Sequence, residues 1–326
     1  MSVDFAKRLG KIPDNTAGMM FDEDGYYVWC GSMFRYMDSY YLAYSRWKRE
    51  LGFNAWVTDS EICLAKTDSL FGTFRYVKTL RSKHDSGFDR SCAHNPTVIS
   101  SGGRFYMYYM GNDGNGQFWD NRNRQRIGVA SASDPEGEWS FSGKPLIDVS
   151  ENGFDSLMVS NPTVTEMPDG RFLMIYKGVS TDGELPKGGA VVCGTAFSDK
   201  PDSRFIKNGK PIMVNPTNGW SVEDPFVWCE NGRFYALVKD FQGYFTHTER
   251  SATALFESEN GTDWTPSDHP LAYECELPFE TERKKVYRLE RPQIFFEGGK
   301  AKLLICACAA DDRFSDVFSV RIPMLG

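Results

Sequence analysis

Five short segments recur along this chain at near-constant spacing: Cys30-Gly31-Ser32-Met33-Phe34, Asn95-Pro96-Thr97-Val98, Asn161-Pro162-Thr163-Val164, Asp224-Pro225-Phe226-Val227 and Arg291-Pro292-Gln293-Ile294. From Gly31 through Pro96, Pro162, Pro225 and Pro292 the steps are 65, 66, 63 and 67 residues. Asp68, Asp134 and Asp199, followed by Phe74, Trp139 and Phe205, keep the same period, and Asn260 with Trp264 continues it. A repeat of this length is one supersecondary unit copied several times. The chain therefore reads as five copies of one unit.

Each copy is β throughout. After the opening segment comes a turn and an aromatic-rich strand, as in Arg104-Phe105-Tyr106-Met107-Tyr108-Tyr109 and Arg233-Phe234-Tyr235-Ala236-Leu237-Val238. Gly102-Gly103, Asp169-Gly170 and Asn231-Gly232 supply hairpin chemistry between the two strands. A third strand such as Ile127-Gly128-Val129-Ala130 and a fourth, outer strand after the Asp134-type turn complete the unit. Four antiparallel strands repeated five times predict an all-β fold, a five-bladed β-propeller closed radially so that only short edges remain. A sandwich or a solenoid is the alternative, but about 65 residues is long for one solenoid turn. The expected blades are 25–80, 90–146, 156–213, 219–270 and 287–326, in a single domain over 1–326. The last blade has room for only three strands, so the N-terminal segment, around 17–21, is expected to supply the fourth and close the ring.

The net charge of −7 and pI near 5.3 argue against a nucleic-acid or anionic-membrane partner, which would need a basic surface. No stretch approaches 18 consecutive apolar residues, so no transmembrane helix is expected. Residues 1–15 lack the apolar core of a secretory signal. The expected compartment is the cytoplasm, short of a signal trimmed from the chain. The eight cysteines form no C-x-x-C pair, and Cys306-x-Cys308 lies within an apolar run where a period of two places both thiols on one buried face. They read as free core residues in a reducing compartment. No cofactor and no metal site is expected, with a structural or water-bridged cation in the central channel left open.

In a propeller the innermost strands start at one mouth of the channel, and the second strands end there. The residues ahead of each repeated proline therefore converge on one rim: Asp22, Glu23 and Asp24 before blade 1, His94 and Asn95, Ser160 and Asn161, Glu223 and Asp224, Glu290 and Arg291. The second-strand ends add Arg46 and Trp47, Asn112 and Asp113, Lys177, Lys239 and Asp240. Carboxyls, amides, cations and aromatic rings facing one pocket suit a sugar: polar groups bond hydroxyls, rings stack on C–H faces, and paired carboxyls cleave an acetal. Other readings stand beside this one. The Asp134 series are turn residues, Asp22 and Glu23 read equally as a solvated run, and His94 as a satisfied channel histidine. Asn95 and Asn161 share a repeat position and so serve partly as strand caps. Asp224 and Glu290 stand apart, because blades 2 and 3 are neutral where blades 4 and 5 place acids.

The runs Asp24-Gly25-Tyr26-Tyr27-Val28-Trp29-Cys30-Gly31-Ser32, Tyr44-Ser45-Arg46-Trp47 and Gly52-Phe53-Asn54-Ala55-Trp56-Val57-Thr58-Asp59-Ser60-Glu61-Ile62 resemble five-bladed propeller glycosidases related to glycoside hydrolase families 43 and 117. Tyr108-Tyr109-Met110-Gly111-Asn112, Glu223-Asp224-Pro225-Phe226 and Leu289-Glu290-Arg291-Pro292-Gln293 extend the resemblance through all five blades. It implies an exo-acting, mostly inverting enzyme with an Asp base in blade 1, an acid on a later blade and an Asp that tunes its pKa. Asp224 matches the later Asp of family 117 and Glu290 its blade-5 Glu. Leu289 stands where family 117 can place a His, and Cys30 where family 43 places the base, so Asp24 becomes the substitute base. The resulting expectation is a glycosidase that removes a terminal sugar from an oligosaccharide, with Asp24 as base, Glu290 as acid and Asp224 as tuner. Arg46, Trp56, His94, Asn95, Asn161, Lys177, Glu223, Lys239, Asp240 and Arg291 are the expected substrate contacts. The alternatives are a glycoside phosphorylase, with Arg46, Lys177 and Lys239 holding phosphate, and a non-catalytic sugar-binding propeller.

Overall fold

A computed structural model describes residues 3–15 and 18–325. It contains five four-stranded antiparallel sheets and one small hairpin. Blade 1 is built from Tyr26–Tyr36, Ser39–Lys48, Glu61–Thr67 and Arg75–Arg81. Blade 2 holds Cys92–Ser101, Arg104–Asn112, Arg126–Ala132 and Ser140–Phe141, and blade 3 holds Met158–Glu166, Phe172–Val179, Val191–Ser198 and Ile206–Ile212. Val222–Glu230, Arg233–Asp240, Ala252–Ser258 and Thr265–Tyr273 form blade 4. In blade 5, Arg288–Glu297, Lys300–Ala309 and Val317–Pro323 are joined by Met20–Phe21 as the outermost strand, in the register Met20 to Val320 and Phe21 to Ser319. The N-terminal segment thus closes the ring; Ala17 lies outside the described residues.

The sequence dictates these sheets locally. Asn231 and Gly232, both left-handed at φ 53° and 77°, join Glu230 to its cross-strand partner Arg233, which is the two-residue turn whose twist matches that of a hairpin. Second strands are packed between neighbouring blades and are buried on both faces: every residue of Phe172–Val179 is buried. Outer strands are polar and open, as in Arg75–Arg81, where no residue is fully buried. The charged edge discourages pairing with another chain. The apolar core lies between blades rather than within one. Tyr41 and Leu64 of blade 1, for example, pack with Phe105, Met107 and Tyr109 of blade 2.

One irregularity is repeated five times. Cys30, Asn95, Asn161, Asp224 and Arg291 all have left-handed backbones, with φ between 51° and 56°. At each of them the register between the first and second strand slips. The prolines at four of these sites have no N–H to give the ladder, so a bulge is the natural outcome. The bulge turns the side chain of the left-handed residue out of the sheet and towards the channel. No helix among the described residues is long and apolar enough to cross a membrane.

Candidate active site

The five left-handed residues meet in a ring. Cys30 Sγ donates to Asn95 Oδ1 at 2.5 Å, Asn95 Nδ2 to Asn161 Oδ1 at 2.7 Å, and Asn161 Nδ2 to Asp224 Oδ1 at 2.6 Å. Arg291 Nη1 stands 3.6 Å from the same Asp224 oxygen. The ring floors a small cavity of about 100 Å³ lined by Trp29, Trp47, Phe53, Trp56, His94, Asn95, Asn161, Glu223, Asp224, Arg288 and Glu290. A cavity of about 770 Å³ occupies the opposite mouth, among the hairpin turns and the far ends of the innermost strands. Its acids, Glu166, Glu230 and Glu297, stand on three different blades and are tied to Ser101, Arg8 and Arg35, and among the described residues the smaller cavity is the one of these two on which carboxyls converge.

Above the ring, the residues one position earlier in each repeat form a second tier: Trp29, His94, Ser160, Glu223 and Glu290. The two glutamates are tied by lysines from the second strands. Lys177 Nζ reaches Glu223 Oε2 at 3.3 Å, while Lys239 Nζ reaches Glu223 Oε1 at 3.2 Å and Glu290 Oε1 at 2.6 Å. Register explains the arrangement, since Lys239 is the cross-strand partner of Glu223 and Lys177 that of Ser160 in the neighbouring blade.

The adjacent acids Glu223 and Asp224 are driven apart. Burial raises both, but Lys177 and Lys239 overcome it at Glu223 and hold that carboxyl well below the usual range. Asp224 is 4% exposed. Its own burial, reinforced by the Glu223 charge and only partly offset by Arg291, pushes its pKa up to about 7. Two carboxyls in one site with opposed environments are the usual basis for separate acid and base roles.

Blade 1 contributes the aromatic wall. Trp47 and Trp56 flank His94 at ring-centroid distances of 5.6 and 5.3 Å, and Ser60 Oγ lies 2.7 Å from His94 Nδ1. Burial, then the Arg291 and Lys177 charges, press the His94 pKa well down, so the imidazole is neutral. Cys30 is fully buried and burial lifts its thiol to about 12, which removes it as a nucleophile at neutral pH.

Asp224, Glu290, Trp56, His94, Asn95, Asn161 and Glu223 therefore line one pocket; Lys177, Lys239 and Arg291 brace it. Three expected residues do not reach it. Asp24 is exposed in the turn before Tyr26; it precedes Cys30 by six residues, about 20 Å of extended strand, and cannot serve as the base there. Arg46 is locked by Glu23 at 2.5 Å and Glu61 at 2.8 Å, and lies between the rings of Tyr26 and Tyr76. Asp240 is buried and accepts the N–H groups of Tyr244, Phe245 and Thr246, so it organises the loop after its strand. Trp29, Phe53 and Arg288 were not singled out from sequence. Trp29 shares the repeat position of His94 and Glu290, and Arg288 precedes Glu290 by two on the same strand face; both signals were present.

No family model matches the sequence, and no curated protein sequence matches it either. Solved structures do. The chain is similar to a glycoside hydrolase with a TM-score of 0.72 at 15% identity, over 97% of this chain and 92% of that one. A thermostable family-43 glycoside hydrolase gives 0.66 at 14% identity, over 92% and 90%. A family 117 glycoside hydrolase from the marine bacterium Zobellia galactanivorans gives 0.59 at 14%, over 97% and 89%. The five-bladed fold expected from sequence, and its kinship in architecture with propellers of families 43 and 117, are borne out.

Proposed function

We propose that this chain is an exo-acting glycoside hydrolase that takes one terminal sugar of an oligosaccharide into the blind pocket, with Asp224 as proton donor. The carrying observation is Asp224 itself, a buried carboxyl with its pKa near 7 in an aromatic-walled cavity that also holds Glu223 and Glu290. Ligand pockets commonly run to about 300–1,000 Å³; this one is far smaller and closed at its base by the ring, which suits a single sugar unit rather than a chain passing through.

Among three carboxyls, geometry narrows the pairings. Inversion places a water between base and acid, whose carboxyls then stand about 6.5–9.5 Å apart. The Oε1 atoms of Glu223 and Glu290 touch the same ammonium, and the two contacts laid end to end fall short of that span. Glu223 is also held deprotonated, so it has no proton to give. Under inversion the acid–base pair therefore includes Asp224. With Asp24 outside the pocket, Glu290 takes the role of the carboxylate that draws the proton from water, exchanging parts with Asp224 relative to the sequence expectation. Water attacks the anomeric carbon, the glycosidic C–O bond breaks, and the Asp224 proton passes to the leaving oxygen.

The test is a panel of nitrophenyl glycosides and unactivated oligosaccharides, with products resolved by chromatography and the anomer formed first read by NMR. Release of a monosaccharide is expected, and Asp224→Asn should lose about 10²–10⁴ of kcat on unactivated substrates. Nitrophenol leaves with little acid assistance, so that variant should be milder on nitrophenyl glycosides. Undiminished hydrolysis of unactivated substrates would reassign the acid. Lys177, Lys239 and Arg288 beside the pocket favour one second reading, phosphorolysis, in which a phosphate oxygen bonds the anomeric carbon instead of water. Turnover that requires added phosphate would replace the first reading by the second. Saturable sugar binding with no turnover under either condition would leave a binding propeller.

A further inference from the structure

The carboxylates beside the pocket are outnumbered. Lys177, Glu223, Lys239, Glu290 and Arg288 form one chain of ion pairs, with successive contacts of 3.3, 3.2, 2.6 and 3.6 Å. The chain alternates in sign and both its ends are cations. Asp224 and Arg291 form a separate pair. One positive charge is thus left over at this site when Asp224 is ionised, and two when it holds its proton, in a protein whose formal net charge is −7.

Two cations here lack a hydrogen-bonded carboxylate, Arg291 and Arg288, and of the two Arg291 is buried in the ring while Arg288 is open to a ligand. The only ion contact of Arg288, to Glu290 Oε2 at 3.6 Å, is too long for a hydrogen bond, and it makes no side-chain hydrogen bond among the described residues. The guanidinium is nevertheless held in place: its carbon lies 5.6, 5.5 and 5.1 Å from the ring centroids of Phe53, Tyr287 and Phe314. Phe53 and Phe314 stack on each other at 3.8 Å. Aromatic contacts position a guanidinium through its charge and plane and leave its N–H donors unused. Arg288 is about one-third exposed. It lines both the blind pocket and an adjoining cavity of about 210 Å³ between blades 4 and 5, where Lys239, Phe241, Tyr287 and Glu290 are also found. Glu290 and Arg288 are shared by the two cavities, so a ligand bridging them passes the guanidinium.

We propose that Arg288 is an oxyanion-recognition residue, and that the ligand of this site carries or accompanies an oxyanion: the carboxylate of an acidic sugar, or inorganic phosphate. A planar fork of donors meets two oxygens that share a negative charge, a stronger match than the two uncharged hydroxyl oxygens of a neutral sugar. The sugar half of this assignment rests on the glycoside-acting reading above, whereas anion binding is measurable without turnover.

The experiment uses the full chain, with calorimetry and thermal shift against glucuronate, galacturonate, the neutral sugars glucose and galactose, and inorganic phosphate. Wild type, Arg288→Gln and Arg288→Lys are compared. One anion should bind where the neutral sugars bind far more weakly. Arg288→Gln should weaken the anion roughly 10- to 100-fold more than it weakens any neutral sugar, the worth of one or two charged hydrogen bonds. Arg288→Lys, which keeps the charge and loses the fork, should recover part of that. Preference for a uronate identifies an acidic sugar, and preference for phosphate identifies the co-substrate of phosphorolysis. Equal binding of anions and neutral sugars, or an anion affinity indifferent to Arg288→Gln, overturns the proposal. Kinetics separate the two readings. Hydrolysis of neutral glycosides with no anion preference sinks the oxyanion assignment alone; Arg288-dependent anion binding with no glycoside turned over sinks the hydrolase and leaves the assignment standing.

Discussion

Glu223 and Asp224 are neighbours in sequence with opposite acidity, and the difference is set by which strand ends face them. Two lysines reach Glu223, while Asp224 drops into the ring, where it accepts from the Asn161 amide and its one ion contact among the described residues is the longer one to Arg291. If Asp224 is the proton donor, it works only while protonated, so kcat/KM should fall as pH rises through about 7; in Asp224→Asn that basic limb should vanish along with most of the rate. Stability gives an independent check. An Asp side chain titrates at 3.8 unperturbed and at about 7 in the fold. The folded state holds the extra proton between those values, so the contribution of Asp224 is fully present below the lower one and is lost as pH climbs through the higher. The Tm of the wild type relative to Asp224→Asn should therefore decline steadily from pH 4 to pH 8. A flat or rising difference would mean that Asp224 is ionised against Arg291 throughout. Sequence singled out these acids because the repeat does not require them, but not which one keeps its proton, since that depends on lysines 46 residues before Glu223 and 16 after it.

At the scale of the element, the left-handed bulge decides what the innermost strands can present. Asn and Asp tolerate this backbone better than most residues, and three of the five ring positions use them. Asn161 has two duties, its backbone at φ 51° and its amide between Asn95 and Asp224. Asn161→Gly and Asn161→Ala both lose the amide and strand two buried partners, at about 1–3 kcal/mol for each group left unsatisfied. Only the alanine adds the left-handed penalty of about 1–2 kcal/mol. The glycine variant should therefore be the more stable of the two by about 1 kcal/mol in urea unfolding. Equal stabilities would show that the bulge relaxes. The repeated prolines made the innermost strands legible, and strand alternation placed the rim residues. The bulge itself was not legible, because Cys30 and Arg291 carry no preference for this conformation and the five segments align as ordinary strands. Asp24 was misplaced for a related reason: the first strand of blade 1 begins at Tyr26, four residues before its bulge, so an acid just ahead of the strand stands well beyond the pocket.

The whole molecule depends on joining its two ends. Three strands in the last repeat made an open fifth blade legible, and Met20–Phe21 fills the place. What sequence did not disclose is how much more of the N-terminal segment is enlisted, because no periodicity marks it. Leu9 bridges to Met324, Ile12 bridges to Phe279 beside the small hairpin of Glu276–Pro278 and Arg283–Lys285, and Phe5 packs on Trp228 of blade 4. Phe5, Ile12, Met19 and Phe21 are all buried in the largest apolar cluster, between blades 4, 5 and 1. Burying each is worth roughly 1.5–3 kcal/mol, so together they contribute on the order of 10 kcal/mol, as large as the whole stability of a typical domain. Deleting residues 1–21 also leaves Val317–Pro323 as an unpaired apolar edge, a template for association. The expected result is therefore global: the truncated chain should lose its cooperative melting transition and aggregate, rather than fray in one blade. Phe21→Ala, which keeps the backbone pairing and removes only the ring, should still fold with a loss of about 3–5 kcal/mol. A truncated chain that melted as cooperatively as the full one, at an unchanged Tm, would show that four complete blades and one open one hold together without this closure.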